Sequence, residues 1–346
     1  MSKILITGSL GYIGYPLCLE LLNKNEYQLI GVDNCSRVEW VNRITSNYDN
    51  VKLYQPNTVE GDLTNRDFVN EIIKLHKPDI VIHLASQPSA PYSELNWERA
   101  LFTQTNNLTM CINLLWGLRE NGLQEKTRFI TTTTTGIPGQ AYKEIPEDAT
   151  RNVAGSWYHI TRGFDSDNCS LASRQWGQEI IELRTSIVYG IQTELMKTTN
   201  QVTRFDTDPY FGTALNRFVK QGLDKEQITV YGKGEQVKPF ISLEDTVQSL
   251  VNSIDYKTES RHSIFNQMTE HISIKDLAAM VSIATGTKIT HISNPRIEKE
   301  EWVMNFKNDR FLKLLHRNPK TIQDGISDIV RYFKTTLPYD YKSYTL

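Results

Sequence analysis

Lys3-Ile-Leu-Ile-Thr7 runs without a break into Gly8-Ser-Leu-Gly11-Tyr-Ile-Gly14, and no other stretch constrains the fold so tightly. The apolar run reads as a buried strand, and residues 15–23, with apolar positions three and four apart, read as a helix. A glycine-rich turn between them lets the backbone approach a ligand closely and leaves the first N–H groups of the helix to bind an anion. Asp33 closes the second apolar run, 25 residues after Gly8. A carboxylate there can accept both hydroxyls of an adenosine ribose and repels a 2′-phosphate. The segment therefore predicts a dinucleotide site that prefers NAD to NADP. Gly8, Gly11, Tyr12, Ile13 and Gly14 make its phosphate-facing turn and Asp33 and Asn34 its ribose end, while Arg37 tempers the preference for NAD.

The same alternation continues along the first half of the chain. Residues 3–7, 28–32, 51–54, 80–84 and 128–132 read as strands, residues 15–23, 65–75 and 100–121 as helices, and 179–186 as a further strand. Intervals of this length imply right-handed crossovers, hence an α/β fold with a Rossmann-type, doubly wound parallel sheet. Past Tyr189 the pattern changes. Residues 192–208 are polar, rich in Thr, Asn and Gln, and predict a long functional loop. Helices at 211–221, 243–253, 274–285 and 321–335 and a strand at 228–231 predict a smaller, mixed C-terminal substrate domain. The expected division is a dinucleotide-binding domain of residues 1–190, rejoined by about 237–266, and a substrate domain of 191–236 and 267–346.

Composition excludes several classes. Lys and Arg total 38 against 40 Asp and Glu, so no basic field favours nucleic acid. No apolar stretch approaches the ~20 residues that span a bilayer. The first residues enter the glycine motif directly, leaving no room for a signal or transit segment, so a cytoplasmic location without membrane attachment is expected. The four cysteines form no Cys-x-x-Cys pair and the seven histidines no His-x3-His pair. Unpaired thiols and no metal site are expected.

Chemistry-bearing residues recur at the strand ends. Gly61-Asp62-Leu63 follows the third strand, where Asp62 can reach an adenine. His83-Leu84-Ala85 ends the fourth, where Leu84 and Ala85 let a cofactor lie over the sheet edge. The threonine run 131–135, followed by Gly136, ends a strand on the ligand-binding edge. Tyr158 and Arg162 lie at i and i+4 near a helix start and so share a face. A cation beside a phenol favours phenolate, which turns tyrosine into a base able to take a proton from a sugar hydroxyl. A threonine hydroxyl on the neighbouring strand end can hold the same oxygen.

The Gly-x-x-Gly-x-x-Gly spacing and the Thr, Tyr and Arg162 set resemble the extended short-chain dehydrogenases/reductases, the NAD-dependent epimerase/dehydratase family. Further stretches narrow the resemblance to the UDP-sulfoquinovose synthase family. They are Gln87-Pro-Ser-Ala-Pro-Tyr-Ser93, Ser156-Trp-Tyr-His159 with Asp165-Ser-Asp-Asn168, and Tyr210-Phe-Gly-Thr-Ala-Leu-Asn-Arg-Phe218. Val230-Tyr-Gly-Lys-Gly-Glu-Gln236, Phe265-Asn-Gln-Met-Thr-Glu270 and Asn294-Pro-Arg-Ile-Glu298 follow in the same order, so the similarity runs almost end to end. It implies an NAD cofactor, a UDP-sugar or other nucleotide-sugar substrate, and a transient 4-keto sugar. Epimerisation, dehydration or sulfite addition can follow from that ketone.

The resemblance also implies roles. Thr134 is the active-site threonine, Tyr158 the base and His159 its active-site neighbour, while Arg162 takes the lysine's place beside tyrosine and nicotinamide ribose. Gln87 falls near the substrate. Thr213, Asn216, Arg217, Val230, Tyr231, Gln236, Lys238 and Arg296 fall where the family handles the nucleotide and its phosphates. By their own chemistry, the guanidinium forks of Arg217 and Arg296 suit a diphosphate. A homodimer is implied through helices at 100–121 and 156–174, with Trp116 and Leu118 as interface residues.

The chain also departs from the family pattern. Besides Arg162 for lysine, Pro88 replaces an arginine, Lys238 an arginine, Arg184-Thr185 an Asn-Gln pair, and Ile137-Pro138 a Glu-Tyr pair. The nucleotide-holding half keeps the pattern better than the reacting half. That points to changed chemistry on a similar sugar nucleotide. The alternative expectation is a protein that binds NAD and sugar nucleotide with weak or no catalysis.

Overall fold

The computed structural model describes residues 1–36, 58–139, 144–149, 155–294 and 304–336. The expected strand at 51–54 and the residues Arg37 and Arg296 lie outside them. In chain order the elements are β1 (Ser2–Thr7), α1 (Gly14–Lys24), β2 (Tyr27–Asp33), β3 (Thr58–Glu60), α2 (Arg66–His76), β4 (Ile80–His83) and α3 (Ala90–Ser93). Then come α4 (Trp97–Glu120), β5 (Arg128–Thr134), α5 (Trp157–Trp176), β6 (Ile180–Thr185), β7 (Ile187–Tyr189), α6 (Glu194–Thr198), α7 (Ala214–Leu223), β8 (Ile228–Tyr231) and β9 (Val237–Ser242). The last are α8 (Leu243–Ser253), β10 (His262–Gln267), β11 (Glu270–Ser273), α9 (Ile274–Thr285), β12 (Ile289–Ile292), α10 (Asp309–Leu315) and α11 (Ile322–Thr336).

Seven strands form one sheet in the order β10-β6-β5-β4-β1-β2-β3, with every pairing parallel. Parallel strands covered on both faces need apolar side chains on both, which is why the strand sequences read as runs rather than alternations. In β1, Ile4 and Ile6 face the core shared with α1, α8 and α10, while Leu5 faces the core shared with α2, α4 and α5. The strand order reverses between β1 and β4. Such a switch point opens a crevice beyond the strand C-termini, where α/β sheets bind ligands.

A second core holds the smaller region. Leu215 and Phe218 of α7, Val230 of β8, Phe240 of β9, Leu277 of α9 and Ile326 of α11 are buried together. Strands β7, β9 and β11 form one small sheet and β8 and β12 another. Within residues 237–266, β9 thus belongs to a small sheet, α8 packs on α1, and β10 borders the large sheet.

Residues 192–208 do not form an open loop. They contain α6, and Val202 and Phe205 enter the second core. Their polar side chains are spent on α1 and its approach: Thr203 Oγ1 donates to the Tyr12 carbonyl (2.9 Å), Tyr15 donates its hydroxyl to Gln201 (2.6 Å), and Thr193 donates to Glu20 (3.0 Å). Tyr12 in turn donates its hydroxyl to the Gly190 carbonyl (2.6 Å). The helix expected from residue 211 begins instead at Ala214. The Asp208 carboxylate accepts the N–H groups of Tyr210 and Phe211, both at 2.9 Å, and bends the chain, and Thr213 caps the helix. Leu118, expected at an interface, is fully buried in the core between α4 and the sheet, whereas Trp116 is exposed. Among the described residues, no helix is long and apolar enough to cross a membrane.

Candidate active site

The glycine turn sits at the β1/β4 switch point. Gly8 has φ +70°, and a Cβ on it would stand 2.8 Å from the Ala85 nitrogen. A Cβ on Gly14 would stand 2.0 Å from the Gly8 carbonyl oxygen. Only glycine fits either place, so the crevice is lined by backbone. Ile13, the N-cap of α1, makes no side-chain capping bond, which leaves that helix end suited to an anion. Asp33 braces the turn: one carboxylate oxygen accepts the Leu10 N–H (3.0 Å) and the other that of Cys35 (2.9 Å). A glycine cradle, an uncapped helix start and a carboxylate at the neighbouring strand end fit the phosphates and ribose of a dinucleotide. Leu84 and Ala85 border the cradle, their N–H groups bonded to the Thr7 carbonyl and hydroxyl. Asn34 accepts from Ser36, Asp62 accepts the Thr64 N–H, and Leu63 is buried in the core.

Two strands away, β5 ends at Thr134 and the chain turns, with the Gly136 N–H on the Thr134 hydroxyl (3.1 Å). The Tyr158 phenol lies beside the Thr134 side chain, which favours its ionised form. Gly136 admits the His159 ring, which lies 2.4 Å from where a Cβ would be. Tyr158 is placed by the start of α5, whose first N–H groups all find side-chain acceptors. Glu94 accepts from Trp157 (2.9 Å), Ser93 from Tyr158 (3.1 Å) and Ser156 from His159 (3.1 Å). Ser93 and Glu94 were not singled out as site residues in the sequence, because their role appears only once α3 packs on α5. The Ser89 hydroxyl, which caps α3, also bonds the Tyr210 carbonyl and joins this support to the loop before α7.

Electrostatics differentiate the two neighbouring rings. Burial raises the Tyr158 phenol above its ordinary value, the Arg162 guanidinium opposes that rise, and Asp165 adds to it. Burial also lowers the His159 imidazole to about 4, with the Lys238 cation adding to the effect. At neutral pH His159 is therefore uncharged, a hydrogen-bonding partner rather than a cation. Arg162 does not extend toward open space. Its guanidinium donates to Asp165 (2.7 Å) and to the Thr132 carbonyl, and it is 2% exposed. Asp165 carried no assigned role in the sequence, although its i+3 spacing from Arg162 is the signal that could have found it.

The remaining named residues divide. Asn216, Arg217 and Gln236 each bury a polar atom without a hydrogen-bond partner among the described residues: Oδ1, Nε and Oε1 respectively. Thr213 caps the same helix, and Arg217 donates to the Tyr231 hydroxyl (2.9 Å) with its guanidinium over that ring. Buried groups held ready in this way fit a polar ligand such as a nucleotide diphosphate. Val230 is different, with its side chain wholly inside the second core. Gln87 is spent on its own loop: its amide donates to the Ser89 carbonyl (3.2 Å) and Thr103 hydroxyl (3.0 Å) and accepts the Ser89 N–H. Arg184 is a support rather than a ligand group. It lies 3.2 Å from Glu182 and donates to the Ala149 carbonyl (2.6 Å). Glu182 also accepts from Thr133 and Ser166, both at 2.7 Å, and contacts His262 at 3.0 Å. Against the penalty of burial, Arg184 and His262 hold that carboxyl well below its ordinary value.

The model of the NAD dependent epimerase/dehydratase family matches residues 4–266. The chain is 33% identical to the chloroplastic UDP-sulfoquinovose synthase of Spinacia oleracea, over 96% of this chain and 75% of that one. It is 30% identical to the UDP-sulfoquinovose synthase of Sulfolobus acidocaldarius, over 97% and 94%. In fold it is similar to the UDP-glucuronic acid 4-epimerase of Bacillus cereus, solved with UDP-glucuronic acid and NAD, with a TM-score of 0.77, 23% identity and coverage of 96% and 99%.

Proposed function

The chain belongs to the NAD dependent epimerase/dehydratase family, and on that premise we propose that it modifies a nucleoside-diphosphate hexose, a UDP-sugar, through a transient ketone at C4. The observation that carries this reading is the Tyr158 phenol beside the Thr134 side chain, which favours its ionised form, beyond the sheet edge that also presents the glycine cradle. Tyr158 takes the proton of the C4 hydroxyl, and Thr134 holds that oxygen in place. NAD, when bound, supplies the hydride acceptor. His159, uncharged, offers a hydrogen bond beside the reacting carbons. Asn216, Arg217 and Gln236, with Thr213, Tyr231 and Lys238, hold the nucleotide and diphosphate, Arg217 through its guanidinium fork. Residues 191–236 and 267–346 are the proposed sugar-nucleotide domain.

A ketone at C4 acidifies the neighbouring C–H bonds, so epimerisation or elimination can follow. We favour these over sulfite addition, because Pro88, Ile137 and Pro138 bring neither a cation nor a carboxylate to the reacting end. Mixing the purified protein with a panel of UDP-hexoses and dTDP-glucose, while following NADH absorbance and sugar products, tests the reading. Transient NADH and a changed sugar are expected, and no change with any member overturns it. The commitment of Arg162 to Asp165 and Thr132 favours a second reading, a binding protein with weak catalysis. It predicts saturable binding of the same sugars without transient NADH.

We further propose a homodimer through α4 and α5, which leave Leu101, Phe102, Trp116, Trp157, Phe164 and Leu171 exposed. Apolar side chains gathered on one pair of helices favour burial against a second copy. Sedimentation velocity should show a dimer for the natural chain and a monomer when Phe102→Asp and Phe164→Asp are combined; a monomeric natural chain overturns it. The described cysteines are all unpaired, which suits the reducing cytoplasm we propose as its location.

A further inference from the structure

Tyr158, Arg162 and Asp165 follow one another at i, i+4 and i+7 and so line one face of α5. The Asp165 carboxylate accepts from Arg162 Nη1 at 2.7 Å, and the two side chains are 1% and 3% exposed. The second amino group, Nη2, donates to the carbonyl of Thr132, two residues before Thr134. The guanidinium is thus tied at two points, to its own helix and to β5. A planar fork committed at both amino groups cannot swing as a lysine ammonium can. Its charge reaches the phenol through space, from a fixed distance, and the carboxylate that fixes it also offsets it.

We propose that Asp165 is a positioning residue of the reaction: it clamps Arg162 against β5 and so sets the pH at which Tyr158 can take a substrate proton. The inference rests on the reading of Tyr158 as the base. Four other titratable groups among the described residues face the pair. They are Cys111 of α4, Cys169 of α5, Glu182 of β6 and His83 of β4. The neighbouring Cys169 thiol and burial raise the Cys111 thiol well above its ordinary value, and burial and Arg162 lower His83 to about 3, which keeps it neutral. Glu182 is held ionised by Arg184 and His262. Burial pushes the Asp165 carboxyl up to about 7, with Arg162 opposing. Above neutral pH the carboxylate therefore subtracts from the cation's effect on Tyr158. Replacing it by a neutral isostere leaves the guanidinium uncompensated and favours phenolate.

The test is Asp165→Asn in the full-length protein carrying 3-fluorotyrosine, with the Tyr158 fluorine resonance assigned by its loss in Tyr158→Phe. In the folded variant the phenol should titrate lower by about one pH unit, roughly tenfold more phenolate at a given pH. The acid limb of hydride transfer should move the same way. Removing both charges, with Arg162→Met and Asp165→Leu, is tolerated where a buried ion pair is replaced by apolar groups. That double variant should titrate higher than the natural chain, because the cation acts on the phenol more strongly than the carboxylate. A merely structural Asp165 lowers the melting temperature and leaves the Tyr158 titration where it was; an unmoved titration in either folded variant overturns the proposal. If the natural chain takes hydride from no sugar nucleotide, the functional reading fails, while the fluorine titration still decides the role of Asp165.

Discussion

Tyr158→Phe is expected to lower hydride transfer by about a hundredfold to ten-thousandfold, the range that a positioned general base contributes. NAD should remain bound. The change deletes one oxygen and keeps the ring beside His159, and the glycine cradle lies two strands away. Stopped-flow NADH absorbance after mixing with a turned-over UDP-sugar measures the first effect, and cofactor content of the purified variant the second. A variant that still reduces NAD at the natural rate removes Tyr158 from the chemistry. A variant that loses cofactor as well shows that the phenol helps to hold the dinucleotide.

Gly14→Ala should abolish NAD binding and lower the melting temperature. The new Cβ would stand 2.0 Å from the Gly8 carbonyl oxygen, a backbone atom that can move only if the whole turn moves. Overpacking of this kind costs about 1–3 kcal/mol, occasionally more. The displaced turn is also the one that receives the phosphates. Gly11→Ala gives a graded comparison, since its Cβ would lie 3.1 Å from the same oxygen. Calorimetric titration with NAD should rank natural chain, Gly11→Ala and Gly14→Ala in falling affinity. Natural affinity in Gly14→Ala would place the dinucleotide elsewhere.

The large sheet was legible because its strands are buried on both faces and carry unbroken apolar runs. β10 escaped notice for the opposite reason. His262-Ser-Ile-Phe-Asn-Gln267 reads as polar, yet Ser263, Asn266 and Gln267 are buried. Gln267 bonds Ser249 and Thr185, and Asn266 bonds the Lys307 carbonyl. A strand whose polar groups are satisfied by distant neighbours leaves no hydrophobic signature. β7, with three residues, and α3, with four, are too short for any period to register.

The site divides along the same line. The glycine turn with Asp33, and Thr134 with Tyr158, could be named from spacing because each depends on where strands end and helices begin. The support from Ser93 and Glu94 spans more than sixty residues of chain and depends on how a four-residue helix packs. Arg162 was visible as a charge one turn below a phenol; its bonds to Asp165 and Thr132 depend on a rotamer that sequence does not state.

The bonds that residues 190–203 make to Tyr12 and Tyr15 bear on turnover. They fasten the crossing segment onto the first turn of α1, beside the cradle. We propose that this fastening slows the exit of a dinucleotide seated there, which then serves as a resident group while sugars come and go. Such a catalyst must hand its borrowed electrons back within each cycle, and it draws on no outside pool of reductant.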